Sequence, residues 1–329
     1  MLNEYIIIIP AYNEAENILL CLKSLYVASE FAKWKYHLKF ISICLNGCTD
    51  NTEEIVLEFK KDHPKLNINI LITDKGMNKA IGRIISTIKE NNLPIVKVDA
   101  DVEVKDDSIF TILEELENHD NLYIVGAHPL VKGYLGKNLY KRILSNILDI
   151  RSKYPLSQIA IFDVTKFHQT ANKYPQSAVL KSFELRSRIF FHGRFYIIRN
   201  KNLWTVPANR IGDDTYLTLD IYKKFGYDSI RIRYDALCFY KPTVSLMFHW
   251  KTYKRIFCDT NTLFELPEFT SLGEIKKLEG VKLDWKYINS LSLKIRGYFV
   301  AYMIIKRIDN ILFSLFPKYN DSLWTYKTK

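Results

Sequence analysis

The chain has 329 residues, 48% of them hydrophobic and 25% charged, a composition that fits a folded protein and excludes a disordered or collagen-like one. Lys and Arg outnumber Asp and Glu by 47 to 36, and the formal net charge of +11 points to anionic partners: nucleotides, nucleic acid or an acidic membrane surface. No run approaches the ~20 apolar residues that span a bilayer, and five cysteines with no CxxC pair give no zinc set and fit a reducing cytoplasm.

Residues 5–9 are a continuous apolar run bounded by Pro10, too short for a helix, and they predict a buried parallel strand. Residues 14–25 follow with Ile18, Leu19, Leu22 and Leu25 at helical spacing, and Asn13 is the expected N-cap. Residues 40–45 and 67–73 read as the next two strands, with helices over 53–61 and 80–90. The turn over 46–52 is polar, with Gly47 for tight backbone geometry, and the loop over 74–79 carries Lys75 and Lys79. A fourth strand, residues 95–98, ends abruptly in Asp99 and Asp101. This alternation predicts an α/β fold, a doubly wound and mostly parallel sheet with flanking helices.

Beyond it a helix is expected over 108–116, a strand over 122–128 and a helix from 139 onward, while 155–188 has no readable pattern. Residues 189–199 read as two strand pieces around Gly193. A helix runs from the acids Asp213 and Asp214 through Phe225 and is closed by Gly226, strands cover 229–233 and 237–240, and a helix covers 244–257. Residues 284–316 read as a long, basic, helical stretch ended by Pro317.

Two acids directly after a buried strand are costly unless something positive meets them. In open α/β sheets ligands bind beyond the carboxyl ends of the strands. Asp99 and Asp101 therefore serve one divalent cation, or one ion and a ligand hydroxyl. Hard oxygen donors suit Mg²⁺ or Mn²⁺. The alternative is a pair of solvated loop acids, with Asp101 capping the following helix.

Taken in order, Ile-Pro-Ala-Tyr-Asn-Glu, Asn-Gly-Cys-Thr-Asp-Asn-Thr, Lys-Gly-x-x-x-Ala and Val-Asp-Ala-Asp resemble the nucleotide-sugar half of family 2 glycosyltransferases of GT-A fold. Gly-Asp-Asp-Thr-Tyr-Leu resembles that family's Glu-Asp-x-x-Leu element, and the likeness extends over about residues 5–255. It implies a catalytic domain over 1–257, divided into a nucleotide-sugar half (1–102) and an acceptor half (103–257), with a basic amphipathic C-terminal region over 258–329. It implies Asp101 as a metal ligand. Asp99 either assists the metal through water or binds the donor ribose or sugar. Pro10, Ala11, Tyr12 and Glu14 map to the loop that holds the nucleoside, with Tyr12 placed to stack on the base. Asn46 stands where many relatives carry an acid, and its amide suits a uracil. Lys75 is assigned to base or phosphate; Lys79 is equally well a solvated loop lysine.

Asp214 aligns with the family's catalytic base. Asp213 aligns with the preceding Glu on the acceptor side, or caps the helix. His192 and Gly193 resemble the acceptor-side segment, His192 being equally well a satisfied core histidine. Lys241, His249, Lys251, Lys254 and Arg255 resemble a weak form of the Gln-x-x-Arg-Trp element of processive synthases, with Lys254 or Arg255 clamping the diphosphate. The decay of that element argues against a processive polymerase.

The expected activity is inverting, Mn²⁺- or Mg²⁺-dependent transfer of a sugar from a nucleotide-sugar, first of all a UDP-sugar. The expected acceptor is a hydroxyl of a glycan or lipid-linked molecule in cell-surface polysaccharide or glycolipid synthesis. The C-terminal region either lies on the anionic inner face of the membrane or packs on the catalytic domain or across a homodimer. A sugar nucleotidyltransferase would begin with a Gly-rich loop, which is missing here. A nucleic-acid-binding protein would carry a recognised motif and clustered basic residues, so nucleic acid is not an expected partner.

Overall fold

The computed structural model describes residues 2–90, 92–153, 158–162, 191–210, 212–269 and 279–315. Two compact units make up the chain: Met1–Leu130 with Phe190–Tyr240, and Val131–Ile189 with Lys241–Lys329.

The first unit is built on β1 (Glu4–Ala11), where every residue from Tyr5 to Pro10 is buried. Ile6, Ile7, Ile8 and Ile9 are all at most 1% exposed. Such burial contributes ~1.5–3 kcal/mol for each side chain, and it is two-sided because helices cover both faces of a parallel sheet. β1 pairs in parallel with β2 (His37–Asn46) and β4 (Ile95–Val98), and β2 with β3 (Ile68–Thr73). Pro10 lies inside β1 and does not bound it, at its carboxyl end beside Cys44. The helices between are α1 (Ile18–Ala32), α2 (Thr52–Asp62) and α3 (Met77–Thr87). The buried face of α1 is Ile18, Cys21, Leu22, Leu25, Ala28, Ser29 and Ala32, which recur at helical spacing on one side.

Asn13 is not the cap of α1, which begins five residues later with Asn17 in the cap position. Its backbone is left-handed (φ 50°), a conformation Asn tolerates. Its Oδ1 accepts from the Thr49 backbone N–H at 2.8 Å, so it ties the first loop to the second.

Past β4 the sheet turns antiparallel. Its order is β3-β2-β1-β4-β8-β6-β9-β5, with β5 at Val102–Val104, β6 at Ile124–Val131, β8 at Phe195–Ile198 and β9 at Ile230–Tyr240. β4 runs antiparallel to β8, and β8 to β6, while β5 pairs with β9. Two strands expected over 229–240 are one continuous β9, and β5 was hidden in the turn after Asp101. α4 (Ser108–Asn118) and α6 (Asp213–Phe225) complete this unit. Of the two strand pieces expected around Gly193, only β8 is found; residues 189 and 190 lie outside the described residues.

The second unit contains α5 (Leu139–Lys153), a two-stranded antiparallel pair of β7 (Gln158–Phe162) and β10 (Glu279–Leu283), and α7 (Leu246–Phe264). The expected long C-terminal helix is broken into α8 (Trp285–Ser290) and α9 (Leu293–Leu315). Asp284 caps α8, its Oδ1 accepting from the Tyr287 N–H at 3.0 Å. Ile150, Ile288, Phe299 and Tyr302 form a small core, and Phe313 of α9 meets Trp250, Tyr253 and Phe257 of α7. His249 Nε2 of α7 lies 3.3 Å from Asp309 Oδ2 of α9, both buried. Pro317 and the lysines after it lie outside the described residues. Among the described residues no helix is long and apolar enough to cross a membrane, and all five cysteines are free thiols.

Candidate active site

The carboxyl ends of β1, β2 and β4 bring the sequence-predicted donor residues together in the first unit. Pro10 and Ala11 end β1, and Asn46 ends β2 opposite Thr73. Asn46 is buried, and its Oδ1 accepts from the Gly76 N–H at 3.5 Å, which links the second loop to the third. Gly47 is left-handed (φ 75°), and a Cβ there would stand 3.2 Å from the Lys75 backbone nitrogen, so the two loops touch. Lys75 Nζ sits 4.5 Å from the centre of the Tyr12 ring, a cation–π contact. Glu14 is buried and accepts from Asn17 Nδ2 at 2.7 Å, while its backbone N–H donates to Thr52 Oγ1. Glu14 thus shapes the first loop.

The centre of the site is a residue the sequence reading passed over. Lys97 lies on β4, two residues before Asp99 and hence on the same face of the strand. It is 1% exposed. Its Nζ donates to Asp99 Oδ1 at 2.6 Å and to the Gly193 carbonyl, and lies 3.5 Å from Asp213 Oδ2. Antiparallel pairing sets Tyr196 of β8 directly across from Lys97, and the Tyr196 hydroxyl donates to Asp213 Oδ2 at 2.8 Å. Burial by itself would lower the Lys97 pKa. The charges of Asp213 and Asp99 outweigh it and raise the pKa, so the ammonium stays charged. A lysine inside an otherwise apolar Ile-Val-x-Val strand was the available signal, since a charge there must meet partners.

Asp214 is the second residue of α6. Its Oδ2 accepts from the Gly193 N–H at 2.9 Å and its Oδ1 from the Thr215 N–H at 2.7 Å. Burial, reinforced by the neighbouring Asp213 charge, pushes its pKa up to about 6, against the pull of those two N–H groups and of Lys97. Gly193 is therefore a hub: its N–H holds Asp214 and its C=O holds Lys97. A Cβ at Gly193 would stand 3.1 Å from carboxylate oxygens of both Asp213 and Asp214. His192 lies next to it, with Nδ1 3.4 Å from the Arg194 N–H. Asp213 does not cap α6; its carboxylate is turned to Tyr196 and Lys97.

Asp101 does not cap the following helix, which begins after Asp107. Both its carboxylate oxygens accept from Arg194 Nη1 at 3.0 Å, and that guanidinium lies 4.0 Å from the Tyr240 ring centre. The Asp99 N–H donates to the Arg194 carbonyl, so β4 and β8 stay paired up to the acids. Burial and the Asp101 charge raise the Asp99 pKa, against Lys97 and Arg194. Asn78 was also missed: its Nδ2 donates to the Arg210 carbonyl at 2.7 Å and anchors the loop before α6.

A divalent cation fits the donor set here. Asp101 offers hard oxygens on a side chain that keeps 29% of its exposure. Mg²⁺-type ions are commonly held by one or two carboxylates and completed by phosphate and water. Among the described residues no group of three His, Cys, Asp or Glu side chains could hold a metal ion by itself. Lys254 and Arg255 lie on α7 in the second unit, where Lys254 is buried with its Nζ 5.1 Å from the Trp250 ring centre.

A sheet that is parallel up to β4 and antiparallel beyond it, with acids at the strand ends, is the architecture of the GT-A fold. The profile of glycosyl transferase family 2 matches residues 6–183, and the chain belongs to that family. It is 29% identical over 126 residues to poly-beta-1,6-N-acetyl-D-glucosamine synthase of Staphylococcus epidermidis, a match spanning 38% of this chain and 28% of that protein. It is 32% identical over 95 residues to glycosyltransferase AglE of Haloferax volcanii, covering 29% of each. The chain thus matches less than a third of the length of these relatives. Among solved structures, mannosyltransferase PcManGT from Pyrobaculum calidifontis, in complex with GDP-Man and Mn²⁺, superposes with a TM-score of 0.58 at 13% identity, over 97% of this chain and 89% of that one. That likeness is one of fold.

Proposed function

We propose that the chain transfers one sugar, with inversion, from a nucleotide-sugar to an acceptor hydroxyl, and that Asp214 is the base. The observation that carries this reading is the run of contacts from Asp99 through Lys97 and Gly193 to Asp214. It joins one donor-side acid, Asp99, to a carboxylate with a pKa of about 6. A base is most effective when its pKa lies near the working pH, and one positioned base contributes ~10²–10⁴-fold.

In the proposed reaction Asp214 takes the proton of the acceptor hydroxyl. The acceptor oxygen forms its bond to the anomeric carbon as the bond from that carbon to the diphosphate breaks, and the electron pair leaves with the diphosphate. Tyr12, Asn46 and Lys75 hold the nucleoside, and Asp99 binds the ribose or sugar. Asp101 would hold Mn²⁺ or Mg²⁺, which neutralises charge on the leaving diphosphate. A UDP-sugar is the first donor to test, for the amide at Asn46; a GDP-sugar is the second, since the neighbour of like fold was solved with GDP-Man. The relative that makes a poly-N-acetylglucosamine supports a glycan or lipid-linked acceptor in cell-surface synthesis.

The test is thermal stability with UDP, GDP, CDP or dTDP, each with and without Mn²⁺. At ~100 times its Kd a ligand adds ~2.7 kcal/mol of stability. A metal-dependent shift with one nucleotide is expected, and its loss in Asp101→Ala. No shift with any of the four would overturn the reading.

A further inference from the structure

Helix α9 buries one face and leaves the other bare. Phe299, Tyr302, Asp309 and Phe313 face inward. Val300, Ile304, Ile308, Ile311 and Leu315, spaced four, four, three and four residues apart, are each more than half exposed. That spacing keeps them in one stripe along a helix of 23 residues, about 34 Å long. Five aliphatic side chains in line are far more than the scattered apolar residues of an ordinary surface.

The charge beside the stripe has one sign. Lys294 and Arg307 are exposed on its flanks, while the acid of α9, Asp309, is buried against His249. The start of α5, in the same unit, shows a similar composition. Leu139, Tyr140 and Ile143 are exposed among exposed Lys141 and Arg142, and the acid of that helix, Asp149, is not exposed.

We infer that α9 forms a docking surface for an anionic lipid bilayer, with its stripe lying in the interface parallel to the membrane plane. Aliphatic residues enter the acyl boundary while lysines and arginines meet acidic headgroups. A second copy of the chain fits less well. A self-paired seam would set basic flank against basic flank, where paired helices need opposite charges. The inference rests on the surface of the second unit and is independent of the transfer chemistry.

The test is sedimentation of the full chain with vesicles of phosphatidylcholine alone or mixed with phosphatidylglycerol. Wild type is expected to pellet with the mixed vesicles and to be released by salt. Ile304→Glu/Ile308→Glu should weaken that partitioning at least ~tenfold, with melting temperature and nucleotide binding unchanged because both residues are exposed. Lys294→Gln/Arg307→Gln should weaken it ~fivefold or more per charge on mixed vesicles alone. Wild type remaining in the supernatant with both vesicle types would overturn the inference. So would a double glutamate variant that converts a dimer to a monomer with vesicle binding intact.

Discussion

The raised pKa of Asp214 gives a prediction whose sign and size follow from its surroundings. Burial comes first and the Asp213 charge second in raising it, against the Gly193 and Thr215 N–H groups and Lys97, to about 6. If the carboxylate form is the base, about nine-tenths of it is present at pH 7 and about one-tenth at pH 5. The turnover of wild type should therefore fall ~tenfold from pH 7 to pH 5, with a limb of unit slope. Asp213→Asn removes the second cause, so the limb should move to lower pH. Asp214→Asn should cost ~10²-fold or more and flatten the limb. The assay is release of nucleotide diphosphate against pH at saturating donor. A limb near pH 4 in wild type, or one unmoved by Asp213→Asn, would refute the reasoning. The linked stability effect has the opposite sign to that of a salt-bridged acid. Because the folded pKa lies above the ordinary carboxylate value, the stabilising contribution of Asp214 is present below about pH 4 and is lost as pH rises through about 6.

Lys97→Met should destabilise the fold by ~3–5 kcal/mol, because it leaves buried Asp213 and part-exposed Asp99 without their cation; urea unfolding measures it, and a loss under ~1 kcal/mol would count against the network. Arg194→Gln should strengthen binding of Mn²⁺ alone, read by calorimetry, since it uncovers the Asp101 carboxylate; weaker binding would mean that Arg194 supports the metal site and does not compete for it.

The parallel half of the fold was legible because its strands are short, apolar and separated by amphipathic helices. Ile6 to Ile9 and the stripe of Ile18, Leu22 and Leu25 leave little choice. Capping was less legible: Asn13 has the right chemistry for an N-cap, but a contact with Thr49, 36 residues away, took its side chain. β5 was missed because three residues carry no period. At the site, the carboxylates stood out through their order along the chain, whereas Lys97 and Arg194 did not. Their importance comes from β4–β8 pairing, which joins residues a hundred positions apart and leaves no local mark beyond one lysine in an apolar strand. Asp213 was ambiguous between helix cap and acceptor-side residue, and its contact with Tyr196 was not legible because Tyr196 reaches it only through the folded sheet.

That seam has a consequence for biosynthesis. The chain leaves the ribosome N-terminus first, yet Ile6 finds Ile95 and Val98 finds Phe195. The three strands nearest the start can assemble early, but the open edge of β4 must wait about a hundred residues for β8. Until then Lys97 and Asp99 stay in water. Lys97 gains its Gly193 and Asp213 partners only when those residues arrive, so the proposed catalytic group is assembled late, and a chain stalled before residue 193 lacks the proposed base, Asp214.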